Sequence, residues 1–251
     1  VTVDAGILSR LCFEAPADTA GSVSVVWSAA SPAVSDLARE TVAARALMEA
    51  RTGFRADGLS LNVRVCGSDA EYAAAGGPGN TDACFIPPDR ILLRRPVRLR
   101  ESLAHEVTHA LIRHASGGRC PGWLEEGIVN HETRVTPDGQ YTPRTLERIE
   151  RAFAVAAWGR TDWSLRGLRA GARQCGDISD AFYGAAWSAT DYLYRVYGRD
   201  AVLRAVARMS RRGCERAFRE TFGRSSGEVE AEWRRATENE WGARFRNRTP
   251  R

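Results

Sequence analysis

The chain reads as an α+β protein, with a small N-terminal mixed sheet and its helices followed by a mainly helical C-terminal part. Three observations predict this. Short β-branched or alternating apolar runs occur only in the first hundred residues. From Val97 onward the apolar residues recur at helical spacing almost to the end. Turn-forming Gly and Pro clusters separate the front runs, so strands gather at the front and helices behind them.

The elements follow in order. Val23–Trp27 is a short β-branched strand. A helix is expected from Val34 to about Arg51, with Ser35 or Asp36 as N-cap and Gly53 as its stop. Leu59, Leu61, Val63 and Val65 alternate, which predicts a half-buried strand. Gly76–Asn80 is a loop by its turn chemistry, and Pro87-Pro88 breaks the chain before a short strand at Ile91–Leu93. Helices are expected at 98–113, 121–133, 143–157, 179–197, 200–211, 214–222 and 226–245. The last opens with Ser225 three residues before Glu228, a capping-box pattern.

A chain of 251 residues, 43% hydrophobic and 27% charged, can bury a sizeable core without a disulfide scaffold. That composition excludes a disordered tail, a collagenous repeat and a coiled-coil rod. No stretch approaches the ~18 apolar residues of a membrane span. All 36 basic residues are Arg, against 31 acids, for a net charge of +5. Doublets such as Arg94-Arg95, Arg211-Arg212 and Arg234-Arg235 fall in separate segments with acids nearby. The charge therefore reads as spread out, and no nucleic-acid partner is expected.

The first residue is Val1, which suggests a mature segment of a secreted or envelope protein. Six cysteines without a C-x-x-C pair exclude a zinc ribbon. The even count predicts that most are paired, and Cys66 with Cys84 is the individual pairing expected, because they bracket the Gly-rich loop.

All four histidines lie between positions 105 and 131. His105-Glu106-Val107-Thr108-His109 is an H-E-x-x-H motif on a helix pattern. With 4 His and 18 Glu in the chain, its chance expectation is roughly 0.005. Residues i and i+4 share a helix face about 5–6 Å apart at Cβ, close enough for two imidazoles to bind one Zn2+ ion. Glu106 flanks that face, where it can take the proton of a metal-activated water. On the helical wheel Leu99, Leu103, Val107, Ala110 and Leu111 form an apolar stripe, with both histidines on the far side.

A catalytic zinc needs a third protein ligand and an open fourth position. A third histidine six residues after His109 would fall on Ala115, and His114 follows too soon. Pro121–Ile128 offers Glu126, seventeen positions beyond His109. A helix over 121–133 puts Glu126 on one face with Trp123 and Asn130, and Leu124, Ile128 and His131 on another. Asn130 is then a candidate supporting partner of Glu126, and His131 either a substrate contact or a core histidine. Glu125 is expected at the surface, and Gly127 lets this helix approach the H-E-x-x-H helix closely.

H-E-x-x-H followed by W-L-x-E-G resembles the gluzincin metallopeptidases of the MA clan, with a thermolysin-like or aminopeptidase-like catalytic core. The likeness covers roughly residues 90–200 and implies a gluzincin (zincin) fold with Glu126 as third zinc ligand. It also implies an oxyanion donor at Tyr183, in the stretch Phe182–Ser188 followed by Tyr192-Leu193 and Tyr197-Gly198. The aminopeptidase stretch G-x-M-E-N is missing, its place taken by Cys84–Arg90, which favours an endopeptidase. An edge strand at Ile91–Arg94 would pair with an extended peptide or protein substrate. The expected division is residues 1–115, carrying the H-E-x-x-H helix, and 116–251, carrying Glu126. The rival readings are an inactive peptidase-fold binding module and a basic nucleic-acid-binding protein.

Overall fold

A computed structural model describes residues 11–14, 22–27, 34–79, 81–94, 99–133 and 180–246. The chain is α+β, and it divides into two compact units: Val1–His114 with Gln174–Gly176, and Ala115–Arg173 with Asp177–Arg251. The helix expected at 143–157 lies outside the described residues.

In the first unit, five strands form one mixed sheet. They are β1 (Leu11–Glu14), β2 (Ser22–Trp27), β3 (Leu61–Cys66), β4 (Ala83–Ile86) and β5 (Arg90–Arg94), in the order β1-β2-β3-β5-β4. β2, β3 and β5 run parallel, while β1 and β4 pair antiparallel at the two ends. In β3, Leu61, Val63 and Val65 are buried and Asn62 and Arg64 half-buried, the alternation read from the sequence. β5 differs. Ile91, Leu92 and Leu93 are all buried, because β3 and β4 flank the strand and both its faces are covered. Among the described residues the sheet ends on β1 and β4, not on Ile91–Arg94.

Helix α1 (Val34–Thr52) connects β2 to β3 and buries Leu37, Ala38, Thr41, Ala44, Met48 and Thr52 along one stripe. Ser35 and Asp36 fall within its first turn. Gly53, at φ +70°, stops it by donating to Glu49 O at 2.8 Å. A short helix α2 (Asp69–Ala74) was not expected. Its cap was visible in Ser68 and Glu71: Ser68 Oγ accepts from Glu71 N at 3.2 Å, and Glu71 Oε2 accepts from Gly67 N at 2.8 Å.

Cys66 is a buried free thiol. It cannot bridge to Cys84, because β5 separates β3 from β4. Two strand spacings are about 9.5 Å, beyond the ~6.8 Å limit between bridged Cα atoms. Cys120 and Cys214 also carry thiols, so the expectation that most of the six are paired is not met.

Helix α3 (Leu99–Ser116) runs across the boundary of the two units, and α4 (Gly122–Thr133) follows after a short turn. The second unit continues with α5 (Asp180–Tyr197), α6 (Arg199–Arg212), α7 (Cys214–Phe222) and α8 (Ser226–Arg246). α4 packs along α5. A Cβ on Gly127 would lie 2.0 Å from Thr190 Oγ1 and 2.5 Å from Ala186 O. The close approach that Gly127 permits is thus to α5, not to the H-E-x-x-H helix. Trp233 Nε1 donates to Ser188 Oγ at 3.1 Å and ties α8 to α5. α8 opens as the sequence indicated: Glu228 N donates to Ser225 Oγ at 3.2 Å, and Ser225 N to Glu228 Oε2 at 2.7 Å.

Candidate metal centre

Helix spacing sets His105 and His109 one turn apart on α3, whose Leu103, Val107, Ala110 and Leu111 are fully buried. The far side of the helix is covered as well, since Glu106 and His109 are 5% and 7% exposed. His105 Nε2 and His109 Nε2 stand 3.3 Å apart, their ring planes inclined at 68°. Two nitrogens at 2.0–2.1 Å from one tetrahedral ion would be about 3.3 Å apart. The ligand atoms of His105, His109 and Glu126 all lie within 4.8 Å of one another. Glu126 is 7% exposed, and a carboxylate at that depth requires cationic or hydrogen-bonding compensation. Two imidazoles and one carboxylate form the donor set of a catalytic zinc with an open position. The residues fit such an ion.

Glu106 is buried beside the first ligand and makes itself felt at Tyr72. Burial raises the Tyr72 hydroxyl above its ordinary value, the hydrogen bond with Thr81 opposes this, and the Glu106 charge adds to the rise. Thr81 Oγ1 donates to Pro78 O at 3.2 Å, so it accepts from Tyr72 at 2.8 Å. Tyr72 is 1% exposed and supports Gly77, whose Cβ position would fall 2.4 Å from the ring.

The other residues singled out in the sequence are placed as follows. Asn130 Nδ2 donates to Glu126 O at 2.7 Å, so it supports the backbone of Glu126. His131 is a core histidine of the second unit. Its ring stacks on Trp187 at 5.3 Å with an interplanar angle of 1°, and Tyr194 lies against it at 5.0 Å. Its Nε2 is 3.3 Å from Trp187 O. Burial lowers its pKa from 6.5 to about 4, with the Trp187 carbonyl opposing, so it is neutral at pH 7. Tyr183 is half-buried on α5, edge-to-face with Phe182 at 6.1 Å. It falls on the same α5 stripe as Ala186, Trp187 and Thr190, which meets α4. His114 is exposed, and Glu125, expected at the surface, is 3% exposed.

Sequence reasoning missed the polar anchor at the end of α4. Glu132 is 5% exposed and receives Arg199 in a bidentate pair, Nε to Oε1 at 2.9 Å and a terminal nitrogen to Oε2 at 2.8 Å. Tyr194 donates to the same carboxylate at 3.0 Å. No short motif links residues 132, 194 and 199, so nothing local in the sequence signals their contact. The chain matches no model of a known protein family and no curated protein.

Proposed function

We propose that the chain is a zinc-dependent metallopeptidase of gluzincin type, hydrolysing internal bonds of a peptide or protein substrate. One observation carries the reading: the 3.3 Å separation of the His105 and His109 Nε2 atoms, with Glu126 in reach of both. His105, His109 and Glu126 would hold the ion. When bound, zinc supplies Lewis-acid polarisation and lowers the pKa of water toward ~7.

The remaining chemistry falls to the chain. Glu106 takes the proton from the attacking water and returns it to the leaving amine, a role supported by its buried carboxylate next to the first ligand in sequence. Tyr183 donates a hydrogen bond to the oxygen that gains charge as the scissile carbonyl becomes tetrahedral. The α5 stripe that meets α4 supports this role, because Tyr183 stands one turn before Ala186 and Trp187 on it. Backbone groups of β4 on the side away from β5 bind the extended substrate by strand addition.

The experiment is elemental analysis of purified protein, before and after zinc reconstitution, with a peptide-cleavage screen on the wild type and Glu106→Gln. About one zinc per chain is expected in both, with cleavage in the variant reduced ~10²-fold or more. Absence of zinc in the reconstituted wild type would refute the metal centre. A Glu106→Gln variant that cuts at the wild-type rate would refute the mechanism while leaving the metal in place.

A further inference from the structure

The net charge of this protein is concentrated in one short stretch of the fold. Residues 199–224 contain eight arginines and three acids, a net +5 that equals the excess of the whole chain. On α6, Arg204, Arg208, Arg211 and Arg212 stand at i, i+4, i+7 and i+8, which is one helix face. Of the exposed positions from 204 to 212, Ala207 alone is not arginine. The opposite face carries Val202, Leu203, Ala205, Val206 and Met209, all buried, so the arginines are held outward. Eight residues at 1.5 Å each make the row about 12 Å long. Arg119 adds to it from another segment of the same unit, donating to Ser210 O at 2.7 Å.

Few acids neutralise the row. Arg204 and Arg211 have no acidic partner among the described residues. Arg208 donates to the Thr221 hydroxyl at 3.1 Å, and Arg212 is 3.9 Å from Glu220. Glu220 is held below the usual carboxylate range, first by its hydrogen bond to Arg216, then by the charges of Arg212 and Arg208. Helix ends favour arginine through the backbone dipole, but only over the last turn, and the row begins two turns earlier.

We propose that the arginine face of α6 docks the protein on an anionic phospholipid surface. Guanidinium groups bind phosphate oxygens bidentately, and a straight outward row suits a plane of headgroups. A nucleic acid fits less well. The row has no aromatic ring for base stacking and no amide to read base edges. α6 is also flanked by α5 and α7, which keeps it out of a duplex groove. The face has no large apolar side chain, so the contact is electrostatic and does not insert into the bilayer. This docking is independent of the metal centre.

The test is co-sedimentation of the full chain with vesicles of phosphatidylcholine alone or with about 30% phosphatidylserine, at about 0.1 M and 1 M salt. Binding is expected only to the anionic vesicles and only at the lower salt. Each arginine contributes about fivefold to partitioning, so Arg204→Gln, Arg208→Gln and Arg211→Gln together should lower binding about a hundredfold. Glutamine suits helices nearly as well as arginine, and circular dichroism will show that the triple variant folds. A matched control, Arg55→Gln, Arg90→Gln and Arg235→Gln, removes the same charge from other exposed sites. Equal loss in the control overturns the proposal, because net charge alone would then explain binding. Equal binding to neutral vesicles, or none to anionic ones, overturns it too. So does binding of duplex DNA that the α6 variant loses while vesicles are ignored.

Discussion

Acidification should loosen the second unit through His131, and the size of the effect can be worked out. Burial between Trp187 and Tyr194 lowers the pKa of this imidazole from 6.5 to about 4. Glu132, its neighbour on α4, is paired to Arg199 and accepts from Tyr194, whose ring lies against His131. The folded value lies below the free value, so the unfolded chain takes up the proton first. The stability that His131 contributes is thus complete above about pH 6.5 and is lost as pH falls toward about 4. A shift of this size corresponds to about 3 kcal/mol in full, most of it lost by about pH 4.5. The assay is urea unfolding of the wild type and His131→Phe, followed by far-ultraviolet circular dichroism between about pH 7.5 and 4.5. Phenylalanine retains the stack on Trp187 but cannot be protonated. The other titrating groups act in both proteins and cancel in the difference. The stability gap between the two proteins should therefore change by about 2–3 kcal/mol over that range, with the wild type losing ground on acidification. A gap that stays constant with pH would show that His131 is not buried in neutral form, and the placement of α4 against α5 would be wrong.

Three further outcomes follow from the same geometry. Gly127→Ala puts a methyl group into Thr190 Oγ1 and the Ala186 carbonyl, so α4 and α5 must separate; a loss of about 3 kcal/mol, measured by denaturant unfolding, is expected. Arg199→Ala removes the bidentate partner of the buried Glu132 carboxylate and should cost about 2–3 kcal/mol, discounted because Arg199 itself is 39% exposed. Burial pushes the Cys66 thiol up, so this cysteine should resist alkylation in the native protein, while denaturing, non-reducing titration should find at least three thiols.

Where a signal is local, the sequence carried it. Leu61, Val63 and Val65 alternate because one strand face is buried, and Ser225 with Glu228 caps a helix through atoms three residues apart. The i, i+4 spacing of His105 and His109 likewise brings their ring nitrogens together without help from distant residues. What was hidden depends on contacts across the fold. Cys84–Ile86 is too short a run to announce a strand, and only its pairing with β5 shows that it closes the sheet. The neighbour of Gly127 lies about sixty positions away on α5, and Glu125 is covered by packing that no wheel drawn for α4 alone could reveal. The net +5 of residues 199–224 lies in continuous sequence, but that four of its arginines share one face shows only once α6 is formed.

The edge strand limits how a peptide could be held. β4 has four residues, and antiparallel pairing with β5 turns the backbone groups of alternate residues inward. About two residues are left to offer N–H and C=O groups outward, and Pro87 and Pro88 prevent the strand from lengthening. A substrate paired there would gain its main-chain hydrogen bonds over a segment of only two or three residues. Lengthening the peptide beyond that segment should add little binding from the backbone. Discrimination among substrates would then depend on the side chains nearest the cleaved bond, and the same short edge gives a second copy of the chain little purchase for sheet-to-sheet aggregation.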